Sequence, residues 1–341
     1  MQYFFRRFLL IIPTFLGATL IVFTILDKVP GGPVEREIMK LQGAGGGGEG
    51  GSGATKDIQV NDKLIQEIRK RYNLDKPVYQ RYLLWLWALM HLDLGESWTS
   101  QKPVWYEIKK RLPISISLGL IGFFLTYSIC IPLGVLKAIH HYTPFDTFSS
   151  IIVFLGFAIP GWALGSVLLV MLGGGTFDFQ LFPLRNWFPD DWEQRTSFGQ
   201  FIGIIHHCTL PIFCYMLGSF ATTTMLMKNS LMENLGQDYV RTAFAKGLPG
   251  KRVIFLHALR NSMIPLCTGL GHIFSLVLAG SFLIEKVFNI DGMGLLGYTS
   301  LVERNYPVAV GILTITMLLQ LIGNIFSDFL YTLVDPRIKF K

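Results

Sequence analysis

Charge is scarce in this sequence. Asp, Glu, Lys and Arg make up 16% of its 341 residues, while 51% are hydrophobic. Two soluble domains, which the length alone would suggest, need far more polar surface. Cysteine is also rare: Cys130, Cys208, Cys214 and Cys267 fall inside or beside apolar runs, and none forms a CxxC pair. That excludes a disulfide scaffold or a cysteine metal site and predicts small apolar packing residues. No GxxxxGK[ST] occurs; in "PGKR", Ala245 replaces the first glycine of that motif and Arg252 its hydroxyl residue. The chain therefore lacks a phosphate loop of its own. Charged residues in mid-run and internal repeats are absent too, which argues against a secondary transporter. Ser219 and His272 lie in no nucleophile motif, which argues against an intramembrane protease.

What the sequence does have is apolar runs of about twenty residues, the length of a helix that crosses roughly 30 Å of hydrocarbon. In lipid such runs must be helical, because nothing else satisfies the backbone. Six spans are predicted, at 8–26, 114–136, 148–172, 201–227, 264–284 and 308–333. The fold class is thus an all-α integral membrane protein. Pro13, Pro132, Pro160, Pro211 and Pro265 sit in or beside spans, where neighbouring helices tolerate kinks. Gly119, Gly122, Gly156, Gly161, Gly165 and Gly218 predict close helix contacts. Arg6 and Arg7 precede the first run, which is too long for a signal-peptide core and lacks a small-x-small cleavage site, so an uncleaved anchor is expected.

The net charge of +7 follows from topology rather than from nucleic-acid binding. With the N-terminus in the cytoplasm, the inner segments hold twelve Lys and Arg and the short outer loops hold four. This distribution predicts that both termini are cytoplasmic. Three regions result: an N-terminal anchor at 1–28, an outer loop at 29–113, and a five-span core at 114–341 with a cytoplasmic loop at about 228–263. Within the outer loop, "GAGGGGEGGSGA" at 43–54 reads as a flexible linker. "YLLWLWALMHL" at 82–92 is too short to span and reads as an amphipathic or interfacial helix. Tyr79, Tyr82, Leu83, Leu86 and Met90 are expected on one of its sides. His206 and His207 are expected to pack near the outer end of the fourth span, and Asp328, near the inner end of the sixth, to snorkel or to pair with an arginine.

Between two spans lies "GQDYVRTAFAKGLPGKRVIFLHALRN", residues 236–261, with five basic residues against one acid. "GQDYVRTAFAK" is a short helix. Gly247 suits the left-handed position after a helix end, and Pro249 suits the start of the next helix. Ala243, Phe244 and Gly247 form an apolar knob that a plain solvated loop does not need. Arg241, Lys246 and Arg252 rim it.

The stretch resembles the coupling loop of ABC-importer permeases, whose general pattern is EAA, three residues, Gly, nine residues, then I-x-L-P. With the glycine on Gly247, Arg241, Thr242 and Ala243 occupy the EAA positions, and Leu259 falls on the leucine. His257 stands in place of the isoleucine and Arg260 in place of the proline. The match is better to the dipeptide and oligopeptide permeases, where "YVRTAxAKG" and "HxLRN" are typical. "RLPISISLGL", "IPLGVLKA", "EKVFNIDGMGLLGY", "RNYPVAVG" and "DFLYTLVDPRIKF" resemble that family too, over nearly all the chain except the glycine-rich insert.

The resemblance implies the type I ABC-importer permease fold, paired with a second homologous permease. It implies a cytoplasmic ATPase, which would hold ATP and Mg²⁺, and a periplasmic binding protein that delivers peptide. This chain would itself carry no cofactor, metal or catalytic residue. Its coupling loop would enter a cleft of the ATPase. The loop 285–307, with Phe288, Gly292, Met293 and Gly294, would lie at the outer mouth of the path, and His272 beside it. A nickel-chelate or other small-solute permease is the alternative that shares much of this pattern.

Overall fold

Long apolar runs form long helices here, and several exceed the thickness of a bilayer. In a computed structural model of the protein, residues 2–28, 66–67, 70, 73–173, 181–183, 185–189, 191–271 and 281–334 are described. The glycine-rich insert and His272 lie outside them. Helix α1 covers Gln2–Lys28, α2 Val78–Met90, α3 Val104–Ile139, α4 Pro144–Ala158, α5 Gly161–Leu172 and α6 Ser197–Leu235. Helix α7 covers Asp238–Ala245, α8 Ile264–Gly271, α9 Phe282–Val287, α10 Met293–Val302 and α11 Tyr306–Val334. Among the described residues the extended structure is a single bridge between Glu96 and Pro103.

Among the described residues four helices are long and apolar enough to cross a membrane: those at Arg6–Lys28, Val104–Ile139, Ser197–Leu235 and Tyr306–Phe329. Span three departs from the expected single run. It is two helices, α4 and α5, bent by 91° at Ile159–Pro160. The count is five if that pair is one span. The expected fifth span, 264–284, runs through residues outside those described. Helix α6 has 39 residues, about 58 Å at 1.5 Å per residue, so it projects well past the hydrocarbon.

The chain divides into two units. In the first (1–11, 109–298 and 315–341), α5 lies so close to α6 that a Cβ on Gly161 would fall 2.4 Å from the Cys214 carbonyl oxygen. Gly134 on α3 meets Met227 of α6 almost as tightly, at 2.6 Å. Gly218, by contrast, has nothing within 4 Å among the described residues, so its expected role in packing is not realised there. All four cysteines are buried and free, as packing residues are. His206 and His207 hydrogen-bond the carbonyls of Leu181, Arg185 and Asn186, tying down the loop before α6. Asp328 is paired with Arg7.

In the second unit (12–108 and 299–314), α2 packs on α1, and residues 94–104 pack on the start of α11. Asn305 is the latch there. Its amide donates to Ser97 Oγ at 2.8 Å and Thr99 Oγ1 at 3.0 Å, and its carbonyl oxygen accepts from the Trp98 N–H at 3.0 Å.

Candidate functional site

The segment after α6 is built to present one face outward. Helix α7 ends where expected: Gly247 has φ +77°, and its N–H bonds the Phe244 carbonyl while the Leu248 N–H reaches that of Ala243. This is the left-handed helix stop that favours glycine. The chain then passes through Gly250–Arg252, a π-helical turn at Val253–Ala258, and Leu259–Ser262. π-Turns are costly and cluster at working sites.

Two residues expected on the contact surface face elsewhere. Ala243 is buried with Val240, Val253 and Ala258 against Met227 and Leu231 of α6 and Val135 and Ala138 of α3. Leu259 is half-buried against the same cluster. The physical reason is the helix period: Val240 and Ala243 are three apart and so share the inward side of α7. The outward side keeps Arg241, Thr242 and Phe244, with Lys246, Gly247 and Arg252 exposed beyond it. Tyr239 joins Phe244 as exposed aromatic surface. Through Val240 and Ala243 that surface is packed onto the bases of α3 and α6.

A second feature at that end of the helices was not visible in the sequence. Lys137, fully buried near the end of α3, donates to Ser149 Oγ at 2.8 Å, Ser150 Oγ at 2.7 Å and the Asp146 carbonyl at 2.9 Å. Its ammonium also lies 3.1 Å from the Asp146 carboxylate. Lys228 of α6 donates to both carboxylate oxygens of Asp146, at 2.8 and 2.7 Å, and His141 Nδ1 lies 3.1 Å away. Asp146 thus ties α3, α4 and α6 together. Lys137 and Lys228, two of the twelve basic residues counted in the inner segments, are buried and paired.

At the other end of the helices, the loop expected at the outer mouth of the path is packed around one carboxylate. Glu285 of α9 is fully buried. It accepts from Ser115 Oγ at 3.3 Å, Tyr215 OH at 3.4 Å and the Leu295 N–H at 2.7 Å, the last in the first turn of α10. Ser115 in turn accepts from the Met293 N–H at 2.7 Å. Phe288 and Met293 are buried, and the Phe288 ring presses on Gly165 of α5. Gly292 and Gly294 are required by crowding: a Cβ on Gly292 would sit 2.6 Å from the Glu285 carboxylate, and one on Gly294 2.7 Å from the Phe282 nitrogen.

Burial pushes the Glu285 carboxyl up to about 7, against the opposing pull of the Leu295 amide, Ser115, Tyr215 and the Gly294 amide. The sign of the pH effect follows. When the loop is released, the group ionises near its ordinary value, whereas the packed group holds its proton up to about 7. Packing is therefore most favourable in acid and weakens as pH rises from about 4.5 through 7, by at most on the order of 3 kcal/mol. The thermal midpoint of the purified assembly should fall over that range. Glu285→Gln, which cannot ionise, should flatten the dependence; an unchanged slope in the variant would show that another group is responsible.

A multi-pass helical chain without a nucleotide motif, offering an anchored aromatic knob between two spans, has the build of the membrane-embedded part of a driven transport system. The chain belongs to the family described as binding-protein-dependent transport system inner membrane component, which it matches over residues 130–340. It is 38% identical to the peptidoglycan transport system permease protein YejB of Agrobacterium fabrum (strain C58 / ATCC 33970), over 99% of this chain and 98% of that one. It is also 38% identical to the inner membrane ABC transporter permease protein YejB of Escherichia coli O157:H7, over 99% of each. The dipeptide transport system permease protein DppB of Escherichia coli (strain K12) is 34% identical over 100% of this chain and 99% of its own length. The chain is thus a multi-pass inner-membrane transport component rather than an enzyme.

Proposed function

We propose that the chain is the permease subunit of an ATP-driven peptide importer, forming half of the path with a second homologous permease. A cytoplasmic ATPase, holding ATP and Mg²⁺, drives it, and a periplasmic peptide-binding protein supplies it. The peptide substrate is supported by the relatives, which are named for peptidoglycan, dipeptide and oligopeptide transport. The observation that carries the coupling role is the division of α7 into two faces: Tyr239 and Phe244 face outward, while Val240 and Ala243 are rooted in the helix bases. Both termini and α7 face the cytoplasm in this reading. With Lys137 and Lys228 set aside as buried, ten basic residues remain inside against four in the short outer loops, so the charge bias holds.

Gly247→Glu tests the coupling role. The substitution forces a side chain and a negative charge onto a φ of +77° on the exposed surface, away from the core. ATP-dependent uptake of labelled peptide in reconstituted vesicles should drop by at least about tenfold, which corresponds to roughly 1.4 kcal/mol in the coupled step. Insertion and the amount of folded permease should stay near wild type. Full uptake by the variant would remove α7 from the coupling role, and transport by the purified chain alone would remove the ATP-driven reading altogether.

A further inference from the structure

Helix α2, "VYQRYLLWLWALM", has only Gln80 and Arg81 as strongly polar residues. A helix that lies flat on a membrane needs a charged side for the headgroups. This one is apolar nearly all round, the pattern of a helix surrounded by apolar material. Its 13 residues make about 20 Å, too short to cross.

One side of α2 is occupied by α1. The Tyr82 hydroxyl lies 2.9 Å from Thr19 Oγ1 and donates to the Leu16 carbonyl at 3.0 Å. Phe23 packs on the rings of Tyr82 and Trp85, with centroids 5.6 and 5.9 Å away. Arg81, the neighbour of Tyr82, pairs instead with Asp27. These contacts fix a depth. Residues 8–26 of α1 carry no charge, and Asp27 and Lys28 close that run. Thr19 precedes Asp27 by eight residues, about 12 Å along the helix axis, and Leu16 lies deeper still. The tip of Tyr82 is therefore well inside the hydrocarbon crossed by α1, where its hydroxyl is satisfied by Thr19 and Leu16 rather than by water. Arg81 reaches back to the charged end of α1 as a snorkelling side chain does.

Among the described residues the other side of α2 is left open. Tyr79, Leu83, Trp87 and Met90, spaced four, four and three apart, form one stripe and are each more than half exposed. Pro77 starts the helix, and a left-handed Leu92 turns the chain away after it.

We propose that α2 is embedded in the bilayer, in the leaflet at the C-terminal end of span one, with its Tyr79–Leu83–Trp87–Met90 stripe against lipid acyl chains. The expected interfacial helix is then a submerged half-helix that pins the loop between the first two spans into the membrane. Identifying that leaflet as the outer one rests on the orientation proposed above; the embedding itself does not.

The test uses the assembled transporter in vesicles of phosphatidylethanolamine and phosphatidylglycerol. Nitroxide is attached at Leu83→Cys and, separately, at Trp87→Cys; the four native thiols are buried, and unmodified protein reports any labelling of them. Peptide uptake by each variant shows that it is assembled. Power-saturation spectra should give collisions with oxygen several-fold above those with a water-soluble nickel chelate. Dominant nickel collisions would place α2 in water and overturn the proposal. Protection from both reagents would mean that a protein partner covers the stripe, and would overturn it equally. Either result leaves the coupling experiment with Gly247→Glu unaffected.

Discussion

Asp146→Ala should nearly abolish the folded permease. Asp146 is the acceptor for two buried ammonium groups, Lys137 and Lys228, one from each of two neighbouring helices. Removing it leaves two cations facing each other with no counter-charge. Breaking one side of a buried pair costs about 3–5 kcal/mol, a large share of the stability of a typical domain. Detergent-solubilised protein should show a strongly lowered thermal midpoint and little monodisperse material by size-exclusion chromatography. A contrasting variant separates loss of the network from loss of its charge balance. Replacing Lys137, Asp146 and Lys228 together by Met, Leu and Met removes every charge and keeps the volume, which is often neutral or stabilising. That triple variant should recover folding. Because the network joins the bases of α3, α4 and α6, beside the cluster that roots α7, it should transport poorly even when folded. Wild-type stability in Asp146→Ala would show that the network holds nothing together.

The reasons this network was hidden in the sequence are general. Lys137 and Asp146 are nine residues apart and Lys228 is 82 residues beyond Asp146, so no local pattern joins them. Each lysine, taken alone, resembles the basic fringe of a span. The bend between α4 and α5 was hidden for a similar reason. The run 148–172 is apolar throughout, with a tolerable proline, and it takes contacts such as those of Gly161 with the Cys214 carbonyl, Gly165 with Cys214 Sγ and Leu169 with the α6 cluster to show that α5 is held against α6. Features set by local chemistry were legible: the helix stop at Gly247 and the packing of the cysteines in apolar runs. Which side of α7 faces out was legible only in part, because the outward knob was read from residue type and Ala243 turned out to serve the inward side.

Gly292→Val should abolish uptake while leaving an inserted, assembled permease. The position is exposed to the chain's own chemistry: a Cβ here would stand 2.6 Å from the Glu285 carboxyl carbon and 2.7 Å from both its oxygens. Those atoms cannot swing away without releasing the Leu295 amide, Ser115 and Tyr215, which they bind. The loop must shift instead, and Met293, whose amide donates to Ser115, shifts with it. Overpacking of a filled site costs about 1–3 kcal/mol, too little to unfold the helical core but enough to displace the loop proposed to border peptide entry. Peptide uptake in vesicles should fall to background with normal membrane abundance. The clash has a named partner, so it can be relieved. Glu285→Ala in the Gly292→Ala background removes the carboxylate that the new methyl group meets. The double variant should therefore lose less than the two single losses combined, a coupling that double-mutant cycles resolve above about 0.5 kcal/mol. Strict additivity would mean that Glu285 and Gly292 act apart, and normal uptake by Gly292→Val would detach the loop from peptide entry.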